Sequence, residues 1–427
     1  MAGSTHQPVR LSWILAAMAA GVALGLLVDE GGRLLGLPLV AFGGFLGTAF
    51  LNLLKMLVVP LVLAMVIAGV AGMGTGRDLG RLGSLAILFY IATTGIAVMI
   101  ALTTVNLIAP GIIDGHPAAE LLALDMDAGA VGASVQSQAG RSITDILLGM
   151  IPVNIVEAAA GAKIVGLLIF GVLYGVFVTR LPERQRLLQT TFWEGVSGVM
   201  MGMTGLVMRL APLGVFGLTL KVAAEAGLGA AKPLLLFALC VLVGLLVYAF
   251  VALPLLIAAS TRLNPWRIFP AMAPALLTAF STSSSAATLP VTIECAQERA
   301  GVSPRIAGFV LPLGTSINHA GTALYECTAA LFIAQAYGLH LSIPMQATIV
   351  LLALVTSMGI AGIPAAALVG LTVVLTAIGL PVEAVGVLLV VERLLDMART
   401  AVNVLADAVA TVIVARLSGE TQVLTAR

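Results

Sequence analysis

Long apolar stretches alternate with short polar segments along nearly the whole chain. Six apolar windows in the first part of the sequence are each long enough to supply the ~20 residues that a membrane-spanning helix needs. They lie at residues 11–28, 43–73, 83–109, 147–179, 190–220 and 233–260. This part of the sequence therefore predicts six spanning helices.

The pattern then changes, because two apolar windows are interrupted in the middle. The window at 268–298 contains the polar run Ser281–Ser285, and the window at 345–380 contains the glycine-containing segment Thr356–Pro364. Each flank is too short to cross alone, and non-helical backbone at membrane depth is tolerated only where it is buried or lines a wet cavity. Both windows therefore predict re-entrant helical hairpins.

Two further spans complete the pattern, at 304–334 and 385–417. The first of them is broken at Gly314–Thr322, where glycines and an asparagine free carbonyl groups that can bind a cation. Paired interruptions of this kind indicate inverted repeats around a transporter site. Short cytoplasmic loops carry an excess of lysine and arginine. Most arginines of this chain fall on one side of the membrane only if each hairpin returns to the side from which it entered. The chain is thus predicted to be an all-α polytopic membrane protein with eight transmembrane helices and two re-entrant helical hairpins.

Composition agrees with a lipid environment and excludes a nucleic-acid partner. Hydrophobic residues make up 60% of the 427 positions and charged residues 10%, against roughly 25% charged residues in soluble domains. A net charge of +1 leaves no basic stripe for nucleic acid. The three cysteines are far apart in the sequence and favour neither a disulfide framework nor a metal site.

The last span has one polar and charged face. Steps of three or four residues place its polar members within about a third of the helix circumference. They are Glu392, Asp396, Arg399, Thr400, Asn403 and Asp407. Ionisable groups inside a bilayer are costly and usually mark ligand or ion paths. A stripe that only stabilises the bundle through an Asp396–Arg399 pair is the alternative.

The same face suggests recognition of a zwitterion with an additional acid group. The planar guanidinium of Arg399 can bind a carboxylate, and Asp396 can accept an ammonium group. Ser284 and Ser285 offer hydroxyls and loop amides for a second carboxylate.

Several segments resemble the glutamate transporter family, the dicarboxylate/amino acid:cation symporters. The most specific are Ser283-Ser-Ser-Ala-Ala-Thr-Leu-Pro290, Gly321-Thr-Ala-Leu-Tyr-Glu326, Gly362-Ile-Pro364 and Asp396-Met-Ala-Arg-Thr-Ala-Val-Asn-Val404. The resemblance covers most of the chain. It implies a homotrimeric, elevator-type secondary symporter of acidic amino acids in a cell membrane. Compact loops favour the bacterial inner membrane.

The resemblance also implies two groups of helices. Residues 1–75 and 143–225 are expected to form a scaffold from helices 1, 2, 4 and 5. Helix 3 at 76–112 and residues 226–427 are expected to form a mobile transport domain. An extracytoplasmic loop at 113–142 connects helix 3 to the second part of the scaffold. The transport domain then contains helix 6, hairpin 1 at 268–298, helix 7 at 304–334, hairpin 2 at 345–380 and helix 8 at 385–417.

Substrate contacts are implied motif by motif. Asp396 is expected to bind the amino group and Arg399 the side-chain carboxylate. The remaining contacts implied are Ser283, Ser284, Ser285, Thr322, Ile363, Thr400 and Asn403. Relatives that carry C4-dicarboxylates without an amino group lack the acids that match Asp396 and Asp407. An acidic amino acid is therefore favoured, and C4-dicarboxylate:cation symport is the alternative.

Three sodium sites are implied in the same way. The first comprises Gly314, Asn318, Asn403 and Asp407. The second comprises Ser316, Ser357, Met358 and Ile360, mostly through carbonyl groups. The third comprises Tyr90, Thr93, Thr94 and Asn318.

The third site lacks its acid in this chain. The family signature at this break is Asn-Met-Asp-Gly-Thr, whereas the chain has Asn318-His319-Ala320-Gly321-Thr322. Without a carboxylate, the cost of removing water from Na⁺ is poorly compensated, so this site is expected to be lost or weak. His319, an imidazole that titrates near neutral pH in water, and Glu326, which matches a glutamate linked to proton movement in the animal carriers, are candidate proton carriers. Proton coupling is expected to replace part of the sodium coupling, and packed structural roles for both residues are the alternative.

Two other classes of function stay open. Gly195-Val-Ser197-Gly198 matches the nucleophile pattern of rhomboid-type intramembrane serine proteases, although the same small residues also serve close helix packing. The second alternative is an anion channel or a sensor, in which the site binds its ligand but does not transport it. We expect no enzymatic activity and no organic cofactor, with Na⁺ and/or H⁺ as the co-transported ions.

Overall fold

The computed structural model describes residues 11–28, 33, 38–72, 77–122, 124, 128–139, 151–161, 164–339, 341–358 and 366–425. These residues are mostly helical, as predicted, and they include one short two-stranded ribbon in which β1 (Ile112–Ile113) pairs antiparallel with β2 (His116–Pro117). Short 3₁₀ turns lie at Glu120–Leu122, Gly227–Ala230, Pro265–Arg267 and Val382–Ala384, and π-helical turns lie at Tyr248–Ala252 and Cys295–Arg299.

The helices fall into two halves along the chain. The first half contains α1 (Leu11–Gly25), α2 (Leu39–Ala71), α3 (Arg77–Ile108), α4 (Ala128–Ala139), α5 (Ile155–Ala160), α6 (Ile164–Thr179), α7 (Glu183–Arg209) and α8 (Ala211–Ala226). The second half contains α9 (Ala231–Val247), α10 (Leu253–Thr261), α11 (Ile268–Thr282), α12 (Ser285–Glu294), α13 (Pro304–Ile317), α14 (Ala320–Ala336), α15 (Ile343–Met358), α16 (Ala366–Ile378) and α17 (Val385–Leu417).

Three helical stretches among the described residues are long and apolar enough to cross a membrane: Gly83–Ile108, Ala231–Thr261 and Val382–Leu417. A fourth results if Glu183–Val207 and Ala211–Glu225, which meet at a 51° bend, form one span. These findings agree with a polytopic membrane protein. The count of eight spans and two re-entrant hairpins stays a prediction.

Two segments differ in detail from the apolar pattern. The window at 190–220 contains two helices, α7 and α8, because Pro212 lies in the first turn of α8 and cannot continue a preceding helix. The polar segment at 110–142 contains β1, β2 and α4. Alanine is the strongest helix former, and four alanines in α4 favour a helix where a loop was expected.

The helices pack in two groups. In the first, α1 packs on α8, and α2 packs on α6, α7 and α8. In the second, α17 is contacted by α9, α11, α13 and α14, while α14 also packs on α3. Of the membrane-length window in α17, 83% is buried inside the protein, compared with 39% for Gly83–Ile108. The polar face of α17 is therefore shielded from lipid by its neighbours.

Interruptions between helices occur where the polar segments predicted them. α11 and α12 pack against each other on either side of Ser283, which has the left-handed φ of 51°. α13 ends at Ile317 and α14 begins at Ala320, so the backbone leaves the helix at Asn318 and His319. In the second predicted hairpin, α15 ends at Met358, and residues 359–365 lie outside the described part of the chain.

Residues 418–425, which we call the C-terminal strap, run back across the segment before α13. The amide of Leu424 donates to the carbonyl of Ala300 at 2.8 Å, and Nη1 of Arg267 donates to the carbonyl of Leu424 at 3.0 Å. Oε2 of Glu420 accepts from the amide of Ser303 at 3.1 Å. The strap thus connects the end of α17 to both ends of the first predicted hairpin.

Candidate functional site

Arg399 lies buried near the middle of α17 between two acids of the same helix. Its Nη2 donates to Oε1 of Glu392 at 3.0 Å and to Oδ1 of Asp396 at 2.5 Å. Its guanidinium lies over the ring of Tyr325, 4.6 Å from the centroid. Nη1 has no hydrogen-bond partner among the described residues. One side of the guanidinium group can therefore receive another acceptor.

Asp396 lies between two arginines. Besides its bond with Arg399, its Oδ2 is 3.6 Å from Nη1 of Arg393. Thr400 is buried one turn further along, and its hydroxyl donates to the carbonyl of Asp396 at 2.7 Å. Two acids and two arginines, Glu392 and Asp396 with Arg393 and Arg399, balance formally. A ligand that binds one charged residue of this cluster removes the partner of another. It must therefore also supply a charged group for that second residue.

Asn403 connects this face of α17 to the start of α14. Its Oδ1 accepts from the amide of Gly321 at 2.8 Å, and its Nδ2 donates to the hydroxyl of Thr322 at 3.2 Å. A Cβ at Gly321 would lie 3.0 Å from Oδ1 of Asn403 and 3.1 Å from the carbonyl of Arg399. Glycine thus permits the close approach that brings Thr322 and Asn403 together.

The tip between α11 and α12 presents serine hydroxyls. Oγ of Ser283 is buried and has no partner within the described ranges. Oγ of Ser284 caps α12 by accepting from the amide of Ala287 at 3.2 Å, and Ser285 is buried in the first turn. Both arms pack on α17. A helix start carries partial positive charge, so this tip can interact with an anion.

Asp407 is a buried carboxylate whose hydrogen bond comes from an amide. Its Oδ1 accepts from Nδ2 of Asn318 at 2.8 Å, and its side chain makes no salt bridge to a basic residue in the described part of the chain. A Cβ at Gly314 would lie 2.6 Å from Oδ1. A buried anion without a counter-charge is costly, and oxygen ligands suit hard cations. Gly314, Asn318 and Asp407 therefore fit a cation, with Asn403 about one turn earlier on α17.

The residues expected at the third sodium site lie close together, and the carboxylate bonded to one of them, Asn318, is that of Asp407 from the first site. Oη of Tyr90 donates to the carbonyl of Val310 at 2.7 Å, and the hydroxyl of Thr93 donates to the carbonyl of Tyr90 at 3.1 Å. The hydroxyl of Thr94 donates to Oδ1 of Asn318 at 3.4 Å. Ala320 is fully buried in the place of the expected acid. This donor set therefore lacks an acid at position 320.

The residues expected at the second sodium site are only partly described. Ser357 is buried near the end of α15, and its carbonyl lies 3.1 Å from Nδ1 of His319. Ser316 is exposed, with its hydroxyl donating to the carbonyl of Pro312 at 3.0 Å, and Met358 is half-buried. Ile360, and Ile363 of the substrate set, lie outside the described residues.

Glu326 is fully buried where α14 packs on α15. The hydroxyl of Thr356 donates to its Oε2 at 2.6 Å. Oε1 has no hydrogen-bond partner in the part of the chain that is described. The carboxyl group thus combines deep burial with one open oxygen.

Comparison with known proteins identifies the class. The profile of the Sodium:dicarboxylate symporter family matches residues 11–417. The chain belongs to this family. A proton/glutamate-aspartate symporter of Escherichia coli is 34% identical over 407 residues, covering 95% of this chain and 92% of the relative. Excitatory amino acid transporter 3 of Mus musculus is 34% identical over 463 residues (96% and 86%). A proton/sodium-glutamate symport protein of Bacillus subtilis is 35% identical over 380 residues (88% and 86%).

Membership confirms the predicted multi-pass membrane symporter and excludes the intramembrane protease hypothesis. Within this symporter, three residues at the site were not predicted as site residues. Tyr325 lies inside the motif that ends at Glu326, and Arg393 precedes the Asp396 motif, but neither has a sequence signal for its contact with the charged cluster. Thr356 begins the interruption of the second predicted hairpin, and the sequence alone does not pair it with Glu326.

Proposed function

We propose that this symporter carries acidic amino acids, aspartate or glutamate, together with cations. The observation that carries the proposal is the buried guanidinium of Arg399, which contacts Asp396 through Nη2 while Nη1 has no partner among the described residues. An acidic amino acid can replace the Arg399–Asp396 contact with two new ones, from its side-chain carboxylate to Arg399 and from its ammonium group to Asp396. Both protein charges stay compensated in the exchange. The printed names of the relatives, which include glutamate and aspartate, support the same substrate class.

The remaining substrate contacts follow from their positions around this pair. Thr322, Thr400 and Asn403 lie on the adjoining turns of α14 and α17. Ser283, Ser284 and Ser285 at the α11–α12 tip are proposed to bind the second carboxylate, together with the backbone at Ile363. The unpartnered hydroxyl of Ser283 and the start of α12 support this assignment.

A dicarboxylate without an amino group breaks the internal contact without replacing it at Asp396. Breaking a buried ion pair by removing one partner costs roughly 3–5 kcal/mol. Arg393 stays 3.6 Å from Asp396 and reduces that cost, so the lower end applies. At about 1.4 kcal/mol per factor of ten, aspartate is expected to bind roughly 100-fold more tightly than succinate.

Competition in proteoliposomes tests the substrate class. Uptake of labelled aspartate is measured against unlabelled aspartate, glutamate, succinate and malate in the wild type and in Asp396→Asn. The amino acids should compete roughly 100-fold better than the dicarboxylates, by the estimate above, and the substitution should remove that preference. If succinate competes as well as aspartate in the wild type, C4-dicarboxylate symport is the function instead. A flux that saturates with substrate distinguishes a carrier from a channel or a sensor.

We propose one sodium ion at Gly314, Asn318, Asn403 and Asp407, and a coupled proton that replaces part of the sodium coupling. The uncompensated carboxylate of Asp407 supports the sodium ion. Ala320 in place of an acid supports the loss of the third site. Glu326, buried with one open oxygen, is the proposed proton carrier, and His319 is the second candidate.

Ion gradients test the coupling. Uptake is compared under an inward Na⁺ gradient at constant pH and under a pH gradient without Na⁺, in the wild type and in Ala320→Asp. The pH gradient should drive uptake in the wild type and acidify the lumen, whereas Ala320→Asp should make uptake depend more steeply on Na⁺. Full uptake on Na⁺ alone, with no acidification of the lumen, would contradict proton coupling.

We also propose the elevator architecture of eight spans and two re-entrant hairpins, assembled as a homotrimer. The scaffold takes 1–75 and 143–225, and the transport domain takes 76–112 and 226–427. The packing of α1 on α8 and of α2 on α7 and α8 supports this division, and α8 also contacts α17 of the second group. Val66 of α2 and Val373 of α16 lie in one hydrophobic cluster where the two groups meet.

Cross-linking tests the movement. Cysteines at Val66 and Val373 joined by a short thiol-reactive cross-linker should stop uptake, whereas the same reagent on either single cysteine should not. Uptake that continues at the wild-type rate after complete cross-linking would contradict an elevator movement. The mass of the purified protein in detergent, measured by light scattering, tests the trimer.

A further inference from the structure

His319 lies where the break between α13 and α14 meets the end of α15. It is in the non-helical segment between α13 and α14 and is 2% exposed. Its Nδ1 lies 3.1 Å from the carbonyl oxygen of Ser357, 38 residues away near the end of α15. A carbonyl oxygen can only accept, so Nδ1 must carry the hydrogen. The imidazole therefore connects the break between α13 and α14 to the first arm of the second predicted hairpin.

A second contact fixes the end of the same arm. Glu326 accepts from the hydroxyl of Thr356 at 2.6 Å, so consecutive residues of α15 are bound by the segment that runs from His319 into α14. The hydroxyl of Ser357 bonds within its own helix, to the carbonyl of Leu354 at 3.0 Å. Only the carbonyl of Ser357 takes part in the contact with His319.

That carbonyl is one of the ligands implied for the second sodium ion. An N–H bond directed at it occupies one of its two lone pairs. It also places the positive end of the N–H dipole against this oxygen. The carbonyl of Ser357 is thus already bound by His319 and is not free to serve a second sodium ion as the resemblance implies.

We propose that His319 is a positioning residue whose Nδ1–H takes the place of the second sodium ion and fastens α15 to the break between α13 and α14. The proposal rests on the proposed symport function, because it concerns the ions bound at the same site. In this arrangement an N–H group of the chain makes the contact with the carbonyl of Ser357 that a sodium ion would otherwise make.

Three substitutions of His319 distinguish the effect of its N–H group from the effects of the size and the titration of its ring. His319→Asn places an amide nitrogen at the same number of bonds from the backbone as Nδ1, and it cannot titrate. His319→Gln moves that nitrogen one bond further, and His319→Met, the residue of the family signature, has no donor. His116→Asn is the control, since His116 is exposed in β2.

Hydrogen–deuterium exchange of residues 343–358 is the first measurement, because it needs no substrate. The wild type, His116→Asn and His319→Asn should exchange equally slowly in sodium-free buffer. His319→Gln and His319→Met should exchange about 10-fold faster or more, which corresponds to loss of one hydrogen bond to a buried carbonyl. Added sodium should restore slow exchange in His319→Met. Equal exchange in all variants, or fast exchange in His319→Asn, would overturn the proposal.

The sodium dependence of aspartate binding is the second measurement. The slope of log Kd against log sodium concentration should be steeper by about one ion in His319→Met than in the wild type and His319→Asn. Equal slopes would also overturn the proposal. Failure of the proposed function gives a different result, because the wild type then binds neither aspartate nor glutamate. Hydrogen–deuterium exchange still decides the role of His319 in that case.

Discussion

Gly314→Ala adds one methyl group against the proposed sodium site. The glycine lies on α13 where α17 brings Asp407 closest, and an alanine Cβ there would lie 2.6 Å from Oδ1 and 2.8 Å from Cγ of Asp407. It would also lie 2.9 Å from Oη of Tyr90. The substitution changes no charge, and it displaces the carboxylate of Asp407 together with its hydrogen bond from Asn318.

The size of the effect follows from these distances. Ordinary van der Waals contact begins at 3.4 Å, so Oδ1 must retreat by the difference from 2.6 Å, about 0.8 Å. Binding sites need their ligands held within about 0.5 Å, and a misplacement of about 1 Å can cost ~100-fold. The sodium concentration for half-maximal uptake should therefore rise by roughly 10- to 100-fold.

Gly308→Ala is a matched control on the same helix, because a Cβ at Gly308 meets nothing within 4 Å. Both variants gain the same small helix propensity, of about 1 kcal/mol or less. Aspartate uptake is titrated with sodium for both proteins in liposomes, and their thermal unfolding is compared. If Gly314→Ala and Gly308→Ala require the same sodium concentration, the carboxylate of Asp407 does not bind the coupling ion.

Three further substitutions test other parts of the site. Arg399→Lys keeps the charge but loses the planar guanidinium, so the Kd for aspartate measured by calorimetry should rise at least ~10-fold. Glu326→Gln keeps an acceptor for Thr356 but cannot carry a proton, so uptake driven by a pH gradient should fall to background while exchange of internal for external substrate continues; continued pH-driven uptake would refute the role. Gly301→Ala should lower the free energy of unfolding by about 1–3 kcal/mol, because Gly301 has φ of +71° and its Cβ would lie 2.7 Å from the carbonyl of Gln422; unchanged thermal unfolding would refute the importance of the strap.

The last helix was the most predictable part of the molecule. Its predicted bounds, 385–417, are those of α17. The reason is physical: a face that alternates at steps of three and four residues can only be a helix, and six polar side chains in an apolar window can only face the protein interior. The break at Asn318 was predictable for a related reason, since glycines and an asparagine disfavour a continuous helix.

Contacts across distant segments were not predictable. The sequence places Glu392 on the polar face, but it does not show that Nη2 of Arg399 donates to both Glu392 and Asp396. It also gives no sign that Tyr325 lies under the guanidinium or that His319 lies beside Ser357. These pairings depend on how α14, α15 and α17 rotate against each other. That rotation is set by the packing of many apolar side chains, whose individual identities are nearly interchangeable.

The C-terminal strap has a consequence for the order in which the protein is made. A ribosome adds about 5–20 residues per second, so Arg267 and Ala300 emerge well before Leu424, which binds them both. Until Leu424 is made, the two ends of the first predicted hairpin lack their contacts with the strap. Until α17 is made, the neighbouring helices also lack the charged helix on which they pack. A nascent chain released after Leu417 would therefore carry every ligand-binding side chain proposed above without the segment that binds Arg267, Ala300 and Ser303.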